Sequence, residues 1–271
     1  VKGCFGIFIG LLGSIFVSGC YVEVCPDGTE KGDRECPEVG SVLPPGETDM
    51  NLSFFVTSRP IEVAGQQVMG GDFGGLEGAD TFCGQLAEEA IPENGRTWRA
   101  LLSDTMTDAR DRIGTGPWIN ASGQMIATDV DTLFANPPTA NLIRDENGRA
   151  WNGGVSQRHD VITGSNRDGR RFTQLDEMLM GHSNPEGSLF SFPDGSFTYD
   201  VPSFDFSCNN YSTNDGGSMS QNFTVVGHLD WSDLPEGTGS DDWITSHVTA
   251  CDQSEMNLSG GDIRIYCFAL D

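Results

Sequence analysis

Hydrophobic residues are grouped along this chain in three textures. Phe5 to Val17 is an apolar stretch shorter than the roughly 20 residues that a membrane-spanning helix needs. From Tyr21 to about Met50 the chain is rich in glycine, proline and acidic residues, with Val42-Leu43-Pro44-Pro45-Gly46 near the end of the segment, and reads as a tether. From Leu52 the pattern is that of a packed domain. Phe54, Phe55 and Val56 predict a strand ending before Pro60. A glycine-rich entry, Gly70 to Gly75, leads into Leu76, Ala79, Cys83, Leu86, Ala87 and Ala90, whose spacing predicts an amphipathic helix over 76–90 with Cys83 on its buried face. Trp98, Ala100 and Leu102 alternate with Thr97, Arg99 and Leu101 as in a strand, and a short helix is expected through Ala109 and Ile113. Trp118-Ile119-Asn120 and Gln124-Met125-Ile126 flank Ala121-Ser122-Gly123 as a hairpin would, and Asp145-Glu146-Asn147-Gly148 predicts a turn. The irregular segment from Arg167 to Phe206 is read as a surface excursion. The alternation from Ile263 to Ala269 predicts one terminal strand.

The N-terminal texture sets the expected compartment. Lys2 precedes the apolar stretch, and Val17-Ser18-Gly19-Cys20 follows it, a branched apolar residue and two small residues ahead of a cysteine. This has the form of a bacterial lipoprotein signal cleaved before Cys20, which would then carry the lipid. The expected organisation is a signal peptide at 1–19, a lipidated tether at 20–51 and one domain at 52–271. The expected location is the cell envelope, lipid-anchored at the outer membrane and facing either the exterior or the periplasm. Of eight cysteines, cleavage removes Cys4 and lipidation uses Cys20. Cys25, Cys36, Cys83, Cys208, Cys251 and Cys267 remain, an even set suited to disulfides in an exported chain. Cys25 and Cys36 are paired by proximity within the tether. No Cys-x-x-Cys pair suggests a metal-thiolate site.

Charge narrows the partners. Forty acidic residues against 15 basic ones give a net charge of -25. Such a surface repels phosphate backbones, which excludes nucleic acid as an expected partner. Cations, neutral glycans and basic protein patches remain compatible with it.

Three motifs in order, Gly74-Gly75-Leu76-Glu77-Gly78-Ala79-Asp80-Thr81-Phe82-Cys83, Trp98-Arg99-Ala100-Leu101-Leu102-Ser103-Asp104 and Arg264-Ile265-Tyr266-Cys267-Phe268, preceded by the Phe54 strand, resemble the C-type-lectin-like fold. The likeness is to its endostatin-related branch, found in collagen C-termini and in bacterial secreted proteins and lipoproteins. The resemblance spans about 52–271. It implies an α+β domain with a mixed, mostly antiparallel sheet, two helices and long loops. It also implies the disulfides Cys83–Cys267 and Cys208–Cys251. The Glu-Pro-Asn or Gln-Pro-Asp calcium loop of sugar-binding members is absent, and Trp243-Ile244-Thr245 stands where their Trp-Asn-Asp triplet would be expected. The N-terminal histidines and arginine-rich face of endostatin have no counterpart here.

Candidate site residues follow from composition. Trp151, Tyr211, Trp231 and Trp243 lie among Gly, Asn and Asp in loop-like stretches and are expected to present a ligand-binding aromatic face. Asp230, Asp233, Asp241 and Asp242 supply oxygens for a calcium ion, with Asp129 and Asp131 a weaker pair. His159, His182, His228 and His247 are scattered without His-x-x-x-His spacing, so a three-histidine zinc site is not expected. Arg167, Arg170 and Arg171 read as a solvated basic cluster. No nucleophile elbow or phosphate loop is present, and an enzyme is not expected. The expectation is a surface binding or adhesion module for a glycan or protein ligand, membrane-attached through Cys20. The alternatives are a self-assembling structural envelope protein and a hydrolase of wall or matrix polymer.

Overall fold

The computed structural model describes residues 48–150, 159–173, 205–215, 222–229 and 242–270. The chain divides into two units, Val1–Ser41 and Val42–Asp271, and all described residues belong to the second. Cys20, Cys25 and Cys36 therefore lie outside the described residues, as do Trp151, Trp231, Asp230, Asp233, Asp241 and His182. No described helix is long and apolar enough to cross a membrane.

In chain order the elements are β1 (Phe54–Val56), the small hairpin of β2 (Glu62–Val63) and β3 (Gln66–Gln67), α1 (Gly75–Ala90) and β4 (Trp98–Ala100). A 3₁₀ turn at Ala109–Asp111 precedes the hairpin of β5 (Trp118–Ile119) and β6 (Met125–Ala127), then α2 (Val130–Ala135) and a second 3₁₀ turn at Ala140–Leu142. The remainder is β7 (Asp160–Ile162), β8 (Phe223–His228), β9 (His247–Ala250), α3 (Gln253–Ser259), β10 (Gly261–Arg264) and β11 (Tyr266–Ala269). The fold is α+β with mostly antiparallel pairing.

Helix α1 buries Ala79, Asp80, Phe82, Cys83, Leu86 and Ala87, the face its apolar spacing predicts. That face packs on the sheet β1–β11–β4, and the bond between Cys83 and Cys267 of β11 fastens helix to sheet. Asp80 adds a polar clamp. Its carboxylate accepts the Ala100 N–H at 2.8 Å and pairs with Arg99 at 2.9 Å and Arg112 at 2.6 Å. The second bond, Cys208–Cys251, completes the connectivity that the resemblance implies.

The terminal strand differs from its sequence reading. Instead of one strand over 263–269, β10 joins one sheet and β11 another, with a break at Ile265 and a positive φ of 53° at Ile263. Ile265 instead exchanges hydrogen bonds with Thr57. The reason is burial on both sides: Ile263, Ile265 and Cys267 pack in one core, and Tyr266 and Phe268 pack in another. Alternation cannot distinguish one continuous strand from two when both faces are apolar.

The sheet β10–β7–β8–β9 carries the residues of interest. β10 runs parallel to β7, and the other two pairings are antiparallel. All six residues of β8 are buried, so it lacks the alternation that marks a half-exposed strand. Cys208 to Tyr211 make a left-handed turn, with φ between 51° and 57° at four successive residues. Asn209 and Asn210 are the type that best tolerates this region.

Candidate metal centre

The register of β7, β8 and β9 brings together three histidines that are far apart in sequence. Asp160 of β7 stands directly opposite His228 of β8. The His228 N–H goes to the Asp242 carbonyl and the Asp160 N–H to that of Gly260, so this is a pair without mutual backbone bonds, the kind whose side chains lie closest. His159 precedes β7, with its carbonyl accepting the Leu229 N–H at 3.0 Å. His247 opens β9 opposite Val226, two residues from His228 on the same face of β8.

The result is a buried carboxylate set among imidazoles. The Asp160 side chain is fully buried; those of His159, His228 and His247 are 28%, 11% and 25% exposed. Nε2 of His159 lies 3.4 Å from Asp160 Oδ1, and Nε2 of His228 lies 3.5 Å from the same oxygen. His247 approaches the other oxygen, with Nε2 3.6 Å from Oδ2. Ligand atoms of His159, Asp160 and His228 all fall within 4.8 Å of one another. The His159 and His228 rings stack at 4.3 Å with an interplanar angle of 15°, and His228 meets His247 edge-on at 5.1 Å. Burial opposes the charged form of His247, but Asp160 and the Val248 carbonyl, 3.4 Å from Nδ1, outweigh it and raise its pKa above the ordinary histidine value.

These separations suit a shared ion better than direct hydrogen bonds. A good N–H···O bond spans about 2.7–3.2 Å. Zinc bonds to nitrogen and oxygen are about 2.0–2.2 Å, and the edge of a tetrahedron is 1.63 times its centre-to-vertex length, which gives donor separations of about 3.3–3.6 Å. The two contacts to Asp160 Oδ1 fall in that range. Imidazole nitrogens with one carboxylate oxygen suit zinc or a neighbouring transition ion, whereas calcium takes oxygen ligands.

Gly260 covers this group. It ends α3 with φ 110°, and a Cβ there would lie 3.0 Å from Asp160 Oδ1 and 3.1 Å from His159 Nε2. Neither the conformation nor the space accepts a side chain. The bond from Cys251, immediately after β9, to Cys208 fixes the segment that leads through α3 to Gly260.

The other expected site residues are structural where they are described. Trp243 is 1% exposed and packs against Phe134 and Tyr266, while its carbonyl accepts the Tyr266 hydroxyl at 3.0 Å. Tyr211 is fully buried, stacks on Phe73 at 5.2 Å and donates its hydroxyl to the Ser103 carbonyl at 2.8 Å. Both are core residues rather than parts of an exposed aromatic face: each ring is buried against other aromatic rings, and the Tyr211 hydroxyl finds its acceptor inside. Asp242 turns the chain into β9: Oδ1 accepts the Ile244 N–H at 3.0 Å, and burial pushes its carboxyl above the usual range. Asp129 caps α2 through the Thr132 N–H, and Asp131 pairs with Arg110 at 2.8 Å. Arg170 and Arg171 both pair with Asp108, and Arg167 lies 3.7 Å from Asp242. The sequence reads the histidines as scattered, whereas the structure gathers His159, His228 and His247 around Asp160. They are separated by long intervals, and only strand register joins them. Compared with known proteins, the chain matches no protein-family model and no curated protein.

Proposed function

We propose that this chain is an extracytoplasmic binding module, carried at the cell envelope by a lipid on Cys20 and built on a C-type-lectin-like domain, that binds a divalent transition-metal ion among His159, Asp160, His228 and His247. One observation carries the metal reading: a fully buried carboxylate with imidazole nitrogens 3.4 and 3.5 Å from a single oxygen, the spacing of ligands around a zinc-sized ion. The signal-like N-terminus, the lipobox ending at Cys20 and the paired domain cysteines support the envelope location. The ordered motifs around Cys83, Trp98 and Cys267 support the lectin-like reading, whose ligand would be a glycan or a protein.

Isothermal titration of the chelator-stripped chain with Zn(II) tests the metal reading. One equivalent is expected to bind to the wild type, and His159→Ala and His228→Ala should each weaken binding by more than ~100-fold, beyond the range for losing an outer-sphere partner. A folded chain that takes no zinc, or whose zinc is indifferent to both substitutions, overturns it. The cluster would then be a buried aspartate neutralised by protonated histidine.

A further inference from the structure

We infer that a cleft between the β2–β3 hairpin and the loop ahead of α1 takes a primary ammonium on an alkyl stem, the group that a lysine side chain of a partner protein presents. The inference goes beyond the metal reading and is independent of it, because the cleft shares no residue with the histidine cluster. Three observations carry it.

The first is the size of the cleft and the way its walls are held. Its volume is about 300 Å³, the lower end of the range for ligand sites. One wall is the hairpin, extended by the Val68 N–H, which donates to the Ile61 carbonyl at 3.0 Å. The other is the loop 69–74, fastened by the Gly71 N–H to the Cys251 carbonyl at 2.8 Å and by the Phe73 N–H to the Tyr211 carbonyl at 2.9 Å. Walls held by main-chain bonds lose little freedom when a ligand arrives.

The second is backbone strain in the segments that line it. Ala64, at the hairpin turn, has φ 52°, and Cys208 to Tyr211, the turn leading to Asn214, hold φ between 51° and 57°. Ala, Cys and Tyr lack the short amide that eases Asn into this region. Such backbone persists only where its surroundings enforce it, and it concentrates at ligand-binding segments. Each strained turn is followed closely by an amide side chain of the cleft, Gln66 after the first and Asn214 after the second.

The third is the chemistry of the lining. Val63, Val68 and Met69 make part of it apolar, with Met69 57% exposed. Gln66, Gln67 and Asn214 are exposed, and their side-chain amides bond to no other described residue. Asp72 adds a carboxylate, whose Oδ1 accepts the Gly74 N–H at 3.4 Å, longer than the roughly 2.7–3.2 Å of a good bond. Among the described residues no basic side chain lines the cleft, so an anion would meet Asp72 and the field of a chain with net charge -25. An ammonium has three donors and no acceptor, which a carboxylate and amide oxygens match, and its methylenes can lie along the apolar side. A neutral sugar gains nothing from the charge.

The test labels the methionine methyl groups of the full chain with ¹³C, assigns the Met69 signal through Met69→Leu, and adds Nα-acetyl-lysine N-methylamide. A saturable shift of the Met69 signal is the expected result, and the uncharged norleucine analogue should bind at least ~10-fold more weakly, as the loss of a charged hydrogen bond implies. Asp72→Asn keeps an acceptor for the Gly74 N–H and should weaken the lysine compound about 3–5-fold, the upper range for an exposed ion pair. Raising salt from about 10 mM to about 150 mM should weaken it too. Equal binding of the lysine and norleucine compounds, or an Asp72→Asn chain that binds as the wild type does, overturns the inference. Saturation by methyl α-glucoside in place of the lysine compound would make the cleft a sugar site, overturning the inference while leaving the binding-module reading standing. No shift with any of these compounds in the folded chain removes the site. None of these outcomes bears on the metal reading, which the zinc titration decides.

Discussion

Removing the Cys208–Cys251 bond should both destabilise the domain and loosen the metal centre. The bond joins residues 43 apart, and in the chain-entropy account closing such a loop removes about 13 cal/mol/K from the unfolded chain, or about 4 kcal/mol at 25 °C. Both sulfurs are fully buried, and Gly71 packs so tightly that a Cβ there would come within 2.3 Å of Cys208 Sγ. Replacing both cysteines by alanine therefore also loses packing worth about 1–2 kcal/mol. The left-handed turn offers little compensating relief. Tyr211 remains anchored by its stack on Phe73 and its bond to the Ser103 carbonyl, Asn210 by its bonds to Thr105, and Ser207 Oγ still accepts the Asn210 N–H. Cys208→Ala/Cys251→Ala should thus lose about 5–6 kcal/mol in denaturant titrations, or roughly 10–20 °C in Tm for a domain of this size. Cys251 directly follows the strand carrying His247 and leads through α3 to Gly260, so zinc affinity should fall as well, by about 10–100-fold. A stability loss below about 1 kcal/mol would refute the loop-closure reasoning. Unchanged zinc affinity in a destabilised double variant would refute the link between this segment and the centre.

Two further outcomes are expected. Asp80→Ala leaves Arg112, whose side chain is 10% exposed, without its carboxylate, and should cost about 3–5 kcal/mol by chemical denaturation. Half-exposed Arg99 contributes little to that figure, and a loss under about 1 kcal/mol would contradict the clamp. Stability should also depend on pH in a defined direction. Burial raises the Asp145 and Glu146 carboxyls above their ordinary values, so the native state binds these protons more readily than the unfolded chain. Their contribution is full below the unfolded value and is lost as pH rises through the folded one, so Tm should climb as pH is lowered from neutral toward the carboxylate range. Below about pH 4 the sign reverses: the Thr132 N–H and neighbouring hydroxyls hold Asp129 below its ordinary value, and that contribution is lost on protonation. In metal-free buffer, Glu146→Gln should flatten the rise on the acid side of neutrality, and an unchanged slope would count against this assignment.

The sequence by itself determined the elements whose pattern has a single periodicity. Helix α1 was legible because Ala79, Cys83, Leu86 and Ala87 recur at one helical spacing. The strands at Phe54 and Trp98, the hairpin at Trp118–Ala127 and the turn ending at Gly148 were legible from short apolar runs and turn residues. Strand β8 was not, because burial on both faces erases its alternation, and the segment 263–269 concealed a change of sheet for the same reason. Composition also misplaced Tyr211 and Trp243. Polar neighbours in sequence suggested exposed loops, but both rings turn inward, and the Tyr211 hydroxyl is satisfied within the core. The cluster of histidines around Asp160 was decided by tertiary structure alone. His159 and Asp160, His228 and His247 come from three strands or their edges, and a shift of one residue in any pairing would send that side chain to the opposite face. Local sequence records which residues could be ligands. Only the register of three strands, with a glycine held across them by a distant disulfide, determines that these four meet.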